Sequence, residues 1–385
     1  MSKHSKLDGL NNWYDYLSGA KDMEQVHLPA IRVCCGGGCM ASGAAKVFET
    51  LKAEAKARAL PVRIVRTGCL GPCAKGPVVS FDGGKAVKGQ KTSTAGNQSA
   101  QVFYGLNVER AKELIAEWDV NEAEPISRSH HLRWDDAQSF YENQRKVALR
   151  SCGIVDPERI ESAVANGAYA ALIKLLFEWN AEAGGDRVLQ ELEASGLRGR
   201  GGAGFPTHFK WRAAREQAAK PKYVVCNADE GDPGAFMDRS IIEGAPHDLI
   251  EGMLLAGITT GAEQGYVYVR AEYPLAVERL ERAIGQALAL GLLGQNILGT
   301  GINFELEIRK GSGAFVCGEE TALMHSIEGK RGEPRPRPPF PAEKGLWGCP
   351  SLLNNVETYA SVACIVGMGA KEYLQFVHGP AGPEG

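Results

Sequence analysis

Cys34 and Cys39 are separated by four residues, and Cys69 and Cys73 by three. Each pair follows a short apolar run and sits among glycines and prolines, in C-C-G-G-G-C and C-L-G-P-C. Glycines let a backbone bend around an inorganic core and aim N–H groups at sulfur. Four thiolates are the ligand set of a [2Fe–2S] cluster. Structural zinc also takes four cysteines, more often as C-x2-C knuckles. A third reading is a set of ordinary buried thiols. The spacing favours the cluster, with Cys34, Cys39, Cys69 and Cys73 as ligands. Cys34 rather than its neighbour Cys35 keeps the x4 spacing, so Cys35 is expected to be a non-ligand.

A second constellation is L-R-G-R-G-G-A-G-F-P-T-H-F-K-W at 197–211. Gly201, Gly202, Ala203 and Gly204 would let a loop wrap a phosphate with backbone N–H groups, and Lys210 adds charge. It is not a Walker A loop, because G-K-[ST] is absent. Nor is it the ordinary dinucleotide fingerprint, because residues 189–195 before it read as helix rather than strand. Composition alone leaves a tight irregular connection open. Its companions are N-A-D-E-G-D-P-G-A-F-M-D-R at 227–239, G-S-G-A-F-V-C-G-E-E-T-A-L at 311–323 and N-N-V-E-T at 354–358. The first of these ends an apolar run, and ligands bind at the carboxyl ends of strands in open α/β sheets. Asn227, Asp229 and Glu230 offer acceptors and an amide for a heterocycle or a sugar chain. Paired acids also suit a metal, with His208 and His247 the nearest histidines.

The elements that must position these groups can be read from the apolar pattern. Around the cysteines, strands are expected at 31–33, 62–65, 77–81 and 101–104. Helices are expected at 41–59 and 108–118, and Asp82-Gly83-Gly84 reads as a hairpin turn. That order suits a thioredoxin-like sandwich. Residues 119–130 are polar and read as a linker or a surface loop. Residues 135–180 read as helical with a break at 152–157, where Asp156 would cap a helix that has Pro157 at its first position. Beyond 185, strands at 223–226, 266–269 and 304–308 and a helix at 274–290 alternate as in a layered α/β domain. Five prolines between 334 and 341 make 329–345 an extended segment. The expected division is 1–120, 121–185 and 186–385.

The chain has 385 residues, of which 44% are apolar and 23% charged, with a net charge of −3. That balance argues against a nucleic-acid binder, which needs a basic surplus. No run of 18 apolar residues occurs, and the start, M-S-K-H-S-K-L-D, lacks the apolar core of a signal peptide. A cytoplasmic location is therefore expected. In a reducing compartment ten cysteines are metal ligands or core residues rather than disulfides.

The cysteine spacing and element order of the first 120 residues or so resemble the thioredoxin-like [2Fe–2S] ferredoxins, also found as the small subunit of NADH dehydrogenases. The four later motifs, in this order, resemble the NADH-oxidising flavoprotein subunit of respiratory complex I. Among its relatives they resemble most the flavin subunits of multimeric NAD(P)-linked hydrogenases, formate dehydrogenases and related bifurcating or benzoyl-CoA-type reductase complexes. Departures are Met237 where the complex I form has Lys, Asp232 where it usually has Glu, Arg337 where Lys is common and Phe315 where Tyr is common. The resemblance implies FMN along Gly201, Gly202, Ala203, Gly204 and Lys210, with its phosphate near Asn354, Asn355 and Thr358. Asn227, Asp229, Glu230, Gly318 and Glu319 would line the ring and ribityl chain, with Glu320 beside them. Glu230 and Glu319 are the implied catalytic carboxylates. Phe205 and Phe340 would sandwich the adenine of NAD(P)H, and Asp232 and Arg337 would hold its polar groups. From the residues alone, both phenylalanines could equally be core.

The resemblance implies hydride transfer between NAD(P)H and FMN, then one-electron transfer to iron–sulfur clusters. Implied partners are other iron–sulfur subunits of a hydrogenase, formate dehydrogenase or reductase complex, with a ferredoxin as a further candidate. The family's [4Fe–4S] cluster sits on C-x2-C-x2-C plus a distant cysteine. No such run occurs here, so that cluster is expected only in a part this chain lacks, which would make the chain a fragment. The alternative is an electron-transfer or scaffold subunit with an inactive flavin site.

Overall fold

The computed structural model describes residues 6–24, 28–82, 101–117, 133, 141, 144–179, 181–232, 234–311 and 314–378. The chain divides into two compact units. One comprises Leu17–Asn166 with Glu243–Ala245, the other Met1–Tyr16, Gly167–Ile242 and Pro246–Gly385. Helix α1 (Leu10–Met23) was not expected from the sequence.

In the first unit, β1 (Ala30–Cys34), α2 (Gly37–Ala41), α3 (Ala44–Ala57), β2 (Arg63–Thr67), β3 (Val79–Asp82), β4 (Gln101–Phe103) and α4 (Val108–Ala116) follow in order. The sheet order is β2-β1-β3-β4. β1 runs parallel to β2 and antiparallel to β3, and β3 antiparallel to β4. This is the α/β sandwich expected, with one difference: the helix read at 41–59 is α3, which begins only after Gly43, where φ is 95°. Gly83 and Gly84 of the expected turn and the segment at 119–130 lie outside the described residues. Val47, Phe48 and Leu51 of α3 pack with Ile31, Val33, Val79, Phe81 and Phe103 of the sheet and Leu114 and Ile115 of α4. Helix α5 (Ile160–Ala165) also belongs to this unit. Asp156 does not cap it. Its carboxylate closes a local turn by accepting the Glu158 N–H at 3.0 Å.

The second unit holds α6 (Ala170–Ile173), α7 (Ala181–Ser195), α8 (Thr207–Glu216), β5 (Tyr223–Ala228), α9 (Met237–Gly244, through Ile242), α10 (Pro246–Thr260), β6 (Gln264–Arg270), α11 (Pro274–Leu290), β7 (Glu305–Gly311), α12 (Glu320–Ile327), α13 (Pro341–Lys344), β8 (Ser351–Asn355), α14 (Val356–Met368) and α15 (Ala370–His378). All four strands are parallel, in the order β7-β6-β5-β8. One face of the sheet (Val225, Tyr266, Tyr268, Leu353) packs on Leu323, Met324 and Ile327 of α12. By the two-residue pleat, Val224, Cys226, Val267 and Val269 face the other way, and all four are fully buried. Helices on both faces are what a parallel sheet requires. Helix α10 is buried along almost its whole length. A Cβ at its Gly252 would lie 2.1 Å from the Tyr359 carbonyl oxygen of α14, so only glycine lets the two helices approach.

The unit boundaries differ from those expected at 120 and 185. Tyr141 donates its hydroxyl to the Leu70 carbonyl at 2.8 Å and packs on the core of the first unit. Residues 167–185 belong to the second unit because Glu251 of α10 accepts the N–H groups of Ala171 and Leu172. Trp13 meets Tyr169 edge-on, which ties the first 16 residues to the same unit. The segment at 329–345 forms no strand, and its one helix is the short α13. No helix among the described residues is long and apolar enough to cross a membrane.

Candidate functional site

The strand order of the second unit changes direction at β5. The chain builds outward through β6 and β7, then returns to lay β8 on the other side of β5. A crevice outside the carboxyl ends of β5 and β8 is the ligand position such a switch point creates. Asn227 and Ala228 end β5, and Asn354 and Asn355 end β8.

Beyond β5 the chain is held by its own side chains. Asn227 accepts the Asp229 N–H at 3.0 Å and donates its amide to the Gly318 carbonyl at 2.8 Å. The two Glu230 carboxylate oxygens accept the N–H groups of Asp238 and Arg239, each at 3.1 Å. These N–H groups lie in the first turn of α9, so Glu230 caps that helix from a distance. Tyr273 fixes the same residue by donating to its carbonyl at 2.7 Å. Asp232 closes a turn by accepting the Gly234 N–H at 2.9 Å.

Asp229 stands apart. Its side chain is 1% exposed, 3.8 Å from the Arg270 guanidinium, and neither carboxylate oxygen has a hydrogen-bond partner among the described residues. Burial raises its pKa, with Arg270 opposing. A buried acceptor that the protein leaves unmatched calls for a donor from elsewhere.

Beside β8, Asn355 caps α14 by accepting the Thr358 N–H at 3.0 Å, and the Thr358 hydroxyl donates to the same oxygen at 2.8 Å. The Arg200 N–H donates to that hydroxyl at 3.0 Å, which anchors the Gly-rich loop. Gly201 lies against Asn355, where an added Cβ would sit 3.3 Å from the Asn355 Cβ. Gly202 and Gly204 have φ of 107° and 62°, a conformation that favours glycine. Asp238 lies behind Asn355, accepting its amide, and burial with Glu230 close by pushes this carboxyl up to about 7. Asn354 is buried and, with its amide turned to accept, takes the Trp211 indole N–H at 2.8 Å.

A third group joins the motif around 319 to the loop. Glu319 caps α12, accepting the N–H groups of Thr321 and Ala322 at 2.8 and 2.9 Å. Burial works against its charge, but these bonds and the Thr321 hydroxyl hold its pKa below the usual value. Glu320 points elsewhere, to Lys210 at 3.0 Å and to Arg337 in a short contact. Phe205 and Phe340 are 56% and 55% exposed, so neither is a core residue. Phe209, Phe236 and Phe315 are exposed as well.

The structure thus brings together the Gly-rich loop with Asn355 and Thr358, Asn227 with Asp229 and Gly318, and Lys210 with Glu320 and Arg337. Arg270, Tyr273 and Asp238 join the site without having been singled out. Only the D-R pair after F-M hinted at Asp238, and nothing local marked Arg270.

In the first unit the cysteine sulfurs converge. Cys69 and Cys73 are 3.7 Å apart. A tetrahedral thiolate site with bonds near 2.3 Å places two sulfurs about 3.8 Å apart. Hydrogen bonding to Cys39 pushes the Cys34 thiol up to about 12, and the same contact lowers Cys39; Cys34 in turn raises Cys69. A Cβ at Gly76 would be 3.0 Å from the Cys39 sulfur, and one at Gly38 would be 3.4 Å from the Cys73 Cβ. Among the described residues no group of three or more His, Cys, Asp or Glu side chains is set to hold a metal ion on its own. Cys35 is buried in the same core as Cys34 and Cys39.

The second unit is an α/β domain with its Gly-rich loop at a sheet switch point. Residues 192–364 match the family described as the Nuo51 FMN-binding domain. The chain is 52% identical over 234 residues to an NADP-reducing hydrogenase subunit HndC of Solidesulfovibrio fructosivorans, covering 61% of this chain and 46% of that protein. It is 49% identical over 224 residues to an NADH-quinone oxidoreductase F 2 polypeptide of Rhizobium meliloti (strain 1021), covering 58% and 52%. A solved NAD+-reducing [NiFe]-hydrogenase is 29% identical, covering 93% of this chain and 56% of that one, with a TM-score of 0.49. The chain spans about half the length of the curated relatives it matches.

Proposed function

We propose that the chain is the flavin subunit of a multisubunit NAD(P)H-linked oxidoreductase, carrying hydride between NAD(P)H and FMN and electrons to a [2Fe–2S] cluster on Cys34, Cys39, Cys69 and Cys73. The observation that carries the reading is the Gly-rich loop docked through Arg200 onto Thr358 at the switch point, with the unmatched Asp229 carboxylate close to Gly318. FMN supplies, when bound, a hydride acceptor that can return electrons singly.

The protein's part is binding and orientation. Loop N–H groups and Lys210 suit a phosphate, and Asn227 and Asp229 offer polar contacts to the ring and its chain. Phe205 and Phe340 present open aromatic faces for a dinucleotide. Glu230 and Glu319 hold helix ends with their carboxylates, which fits positioning rather than proton transfer; hydride transfer needs no protein acid or base. Partners of the expected class are iron–sulfur subunits of a hydrogenase, formate dehydrogenase or reductase complex. A scaffold subunit with an inactive flavin site would not need an unmatched buried carboxylate.

The test is anaerobic titration of the purified chain with FMN, then NADH or NADPH. Stoichiometric flavin that loses its oxidised absorbance on adding one nicotinamide supports the reading. A chain that takes up no flavin overturns it.

A further inference from the structure

Asp238 ends a chain of hydrogen bonds that begins in the Gly-rich loop. The Arg200 N–H donates to the Thr358 hydroxyl at 3.0 Å, and that hydroxyl donates to the Asn355 side-chain oxygen at 2.8 Å. The Asn355 amide nitrogen then lies 2.9 and 3.0 Å from the two oxygens of Asp238. The Glu357 N–H reaches the same carboxylate at 3.3 Å.

With Asp238 ionised, each proton in this chain has one direction: the carboxylate only accepts, so it takes the nitrogen end of the Asn355 amide. The oxygen end must then face Thr358, whose backbone N–H donates to it at 3.0 Å. The Thr358 hydroxyl spends its single proton on Asn355 and presents a lone pair to Arg200. A group whose protonation or identity changed at 238 would invert that order.

We infer that Asp238 is a positioning residue: by fixing the Asn355 amide it sets the Thr358 hydroxyl as an acceptor and so holds the Gly-rich loop at Arg200 in the form that grips the flavin phosphate. The inference rests on the proposed flavin site for its last step only; the loop anchoring stands on the hydrogen bonds themselves. Asp238 sits among like charges, Glu230 before α9 and Glu357 on α14, with the Cys226 thiol of β5 nearby. A carboxylate kept in such company is one whose acceptor pattern is needed.

The test uses Asp238→Asn, Asn355→Asp and the double exchange in the full chain. In Asp238→Asn an amide faces an amide, and one of the two must turn. In the double exchange the new amide at 238 donates to the new carboxylate at 355, which still accepts both Thr358 donors. Two readouts are taken: FMN affinity, and the rate of tryptic cleavage after Arg200 in the flavin-free chain. Asp238→Asn should weaken FMN about tenfold and speed cleavage about tenfold, the cost of one mismatched buried hydrogen bond. The double exchange should return both to within about threefold of the original. Unchanged values in Asp238→Asn, or a double exchange no better than the single, would overturn the inference. If the original chain binds no FMN while cleavage follows the expected pattern, the flavin reading fails and the anchoring stands. If it binds FMN and neither readout responds, the reverse holds.

Discussion

Lys210 and Glu320, 110 residues apart in sequence, form an ion pair at 3.0 Å. The pair ties α8, which follows the Gly-rich loop, to the first turn of α12, and Arg337 joins it from the proline-rich segment. Glu320 is therefore a hub for two cations from two motifs. Glu320→Gln leaves both cations facing a neutral amide in a partly buried site. A loss of about 1–2 kcal/mol is expected, between the values for exposed and buried pairs. Urea denaturation of the flavin-free chain checks it. A change under about 0.5 kcal/mol would mean that the three groups are effectively solvated.

Much of this arrangement could be read from residue order, and the unread part has a common cause. Apolar runs at 223–226 and 266–269 marked β5 and β6 because a parallel sheet buries both faces and leaves no alternation. The cysteine pairs stood out because their short, regular spacing lies in Gly/Pro loops. Helix α1 was missed, although Trp13, Tyr16 and Ala20 form a buried stripe at helical spacing. Its other positions mix exposed polar residues (Asn11, Asn12, Asp15, Lys21, Asp22) with Leu10, Leu17 and Met23, which blurs the period, and no cap marked its start. The roles of Glu230 and Glu319 were not legible either. A carboxylate in a glycine loop looks like a site residue whether it faces a ligand or the N–H groups of the next helix, and only the fold shows which.

Cysteine substitutions should separate into two kinds. Serine at Cys34, Cys39, Cys69 or Cys73 should remove bound iron, since each sulfur belongs to the converging set. Cys35→Ser should keep the iron. It should instead lower folding stability by about 1–3 kcal/mol, because Cys35 is fully buried and serine brings a hydroxyl into an apolar core. Iron analysis and electron-spin spectra, alongside thermal melts, distinguish the two. Loss of iron in Cys35→Ser with retention in Cys34→Ser would reassign the ligand.

His247 on α10 gives the second unit a pH dependence of known sign. Burial lowers its pKa to about 4 from an ordinary 6.5. Its Nδ1 lies 2.8 Å from the Tyr169 hydroxyl and its Nε2 3.2 Å from the Gln286 side-chain oxygen, so the neutral ring accepts from one and donates to the other. Between pH 6.5 and 4 the unfolded chain binds a proton that the folded chain refuses. Stability from this group is complete above about pH 6.5 and is lost as pH falls, by up to roughly 3 kcal/mol near pH 4. His247→Gln should remove that slope. Denaturation at several pH values, as the difference between the two chains, isolates it from other titrations. A difference that stays constant from pH 7 to pH 4.5 would show that the ring is not held neutral.

Phe205 and Phe340 offer the sharpest division between folding and binding. Both are more than half exposed, so neither contributes a buried side chain to the core. Phe205 sits in the Gly-rich loop just before α8, and Phe340 directly precedes α13. Truncating an exposed side chain changes stability by no more than about 0.5 kcal/mol. Stacking of a base on an aromatic face is worth about 1–3 kcal/mol. Phe205→Ala and Phe340→Ala should therefore melt as the original chain does and keep their FMN, while binding NADH some five- to a hundredfold more weakly. The concentration dependence of flavin reduction under anaerobic conditions measures the affinity. A fall in melting temperature with unaltered NADH affinity would assign these rings to the fold. Lost affinity in only one variant would leave a single stacking face, and the adenine would then be held from one side.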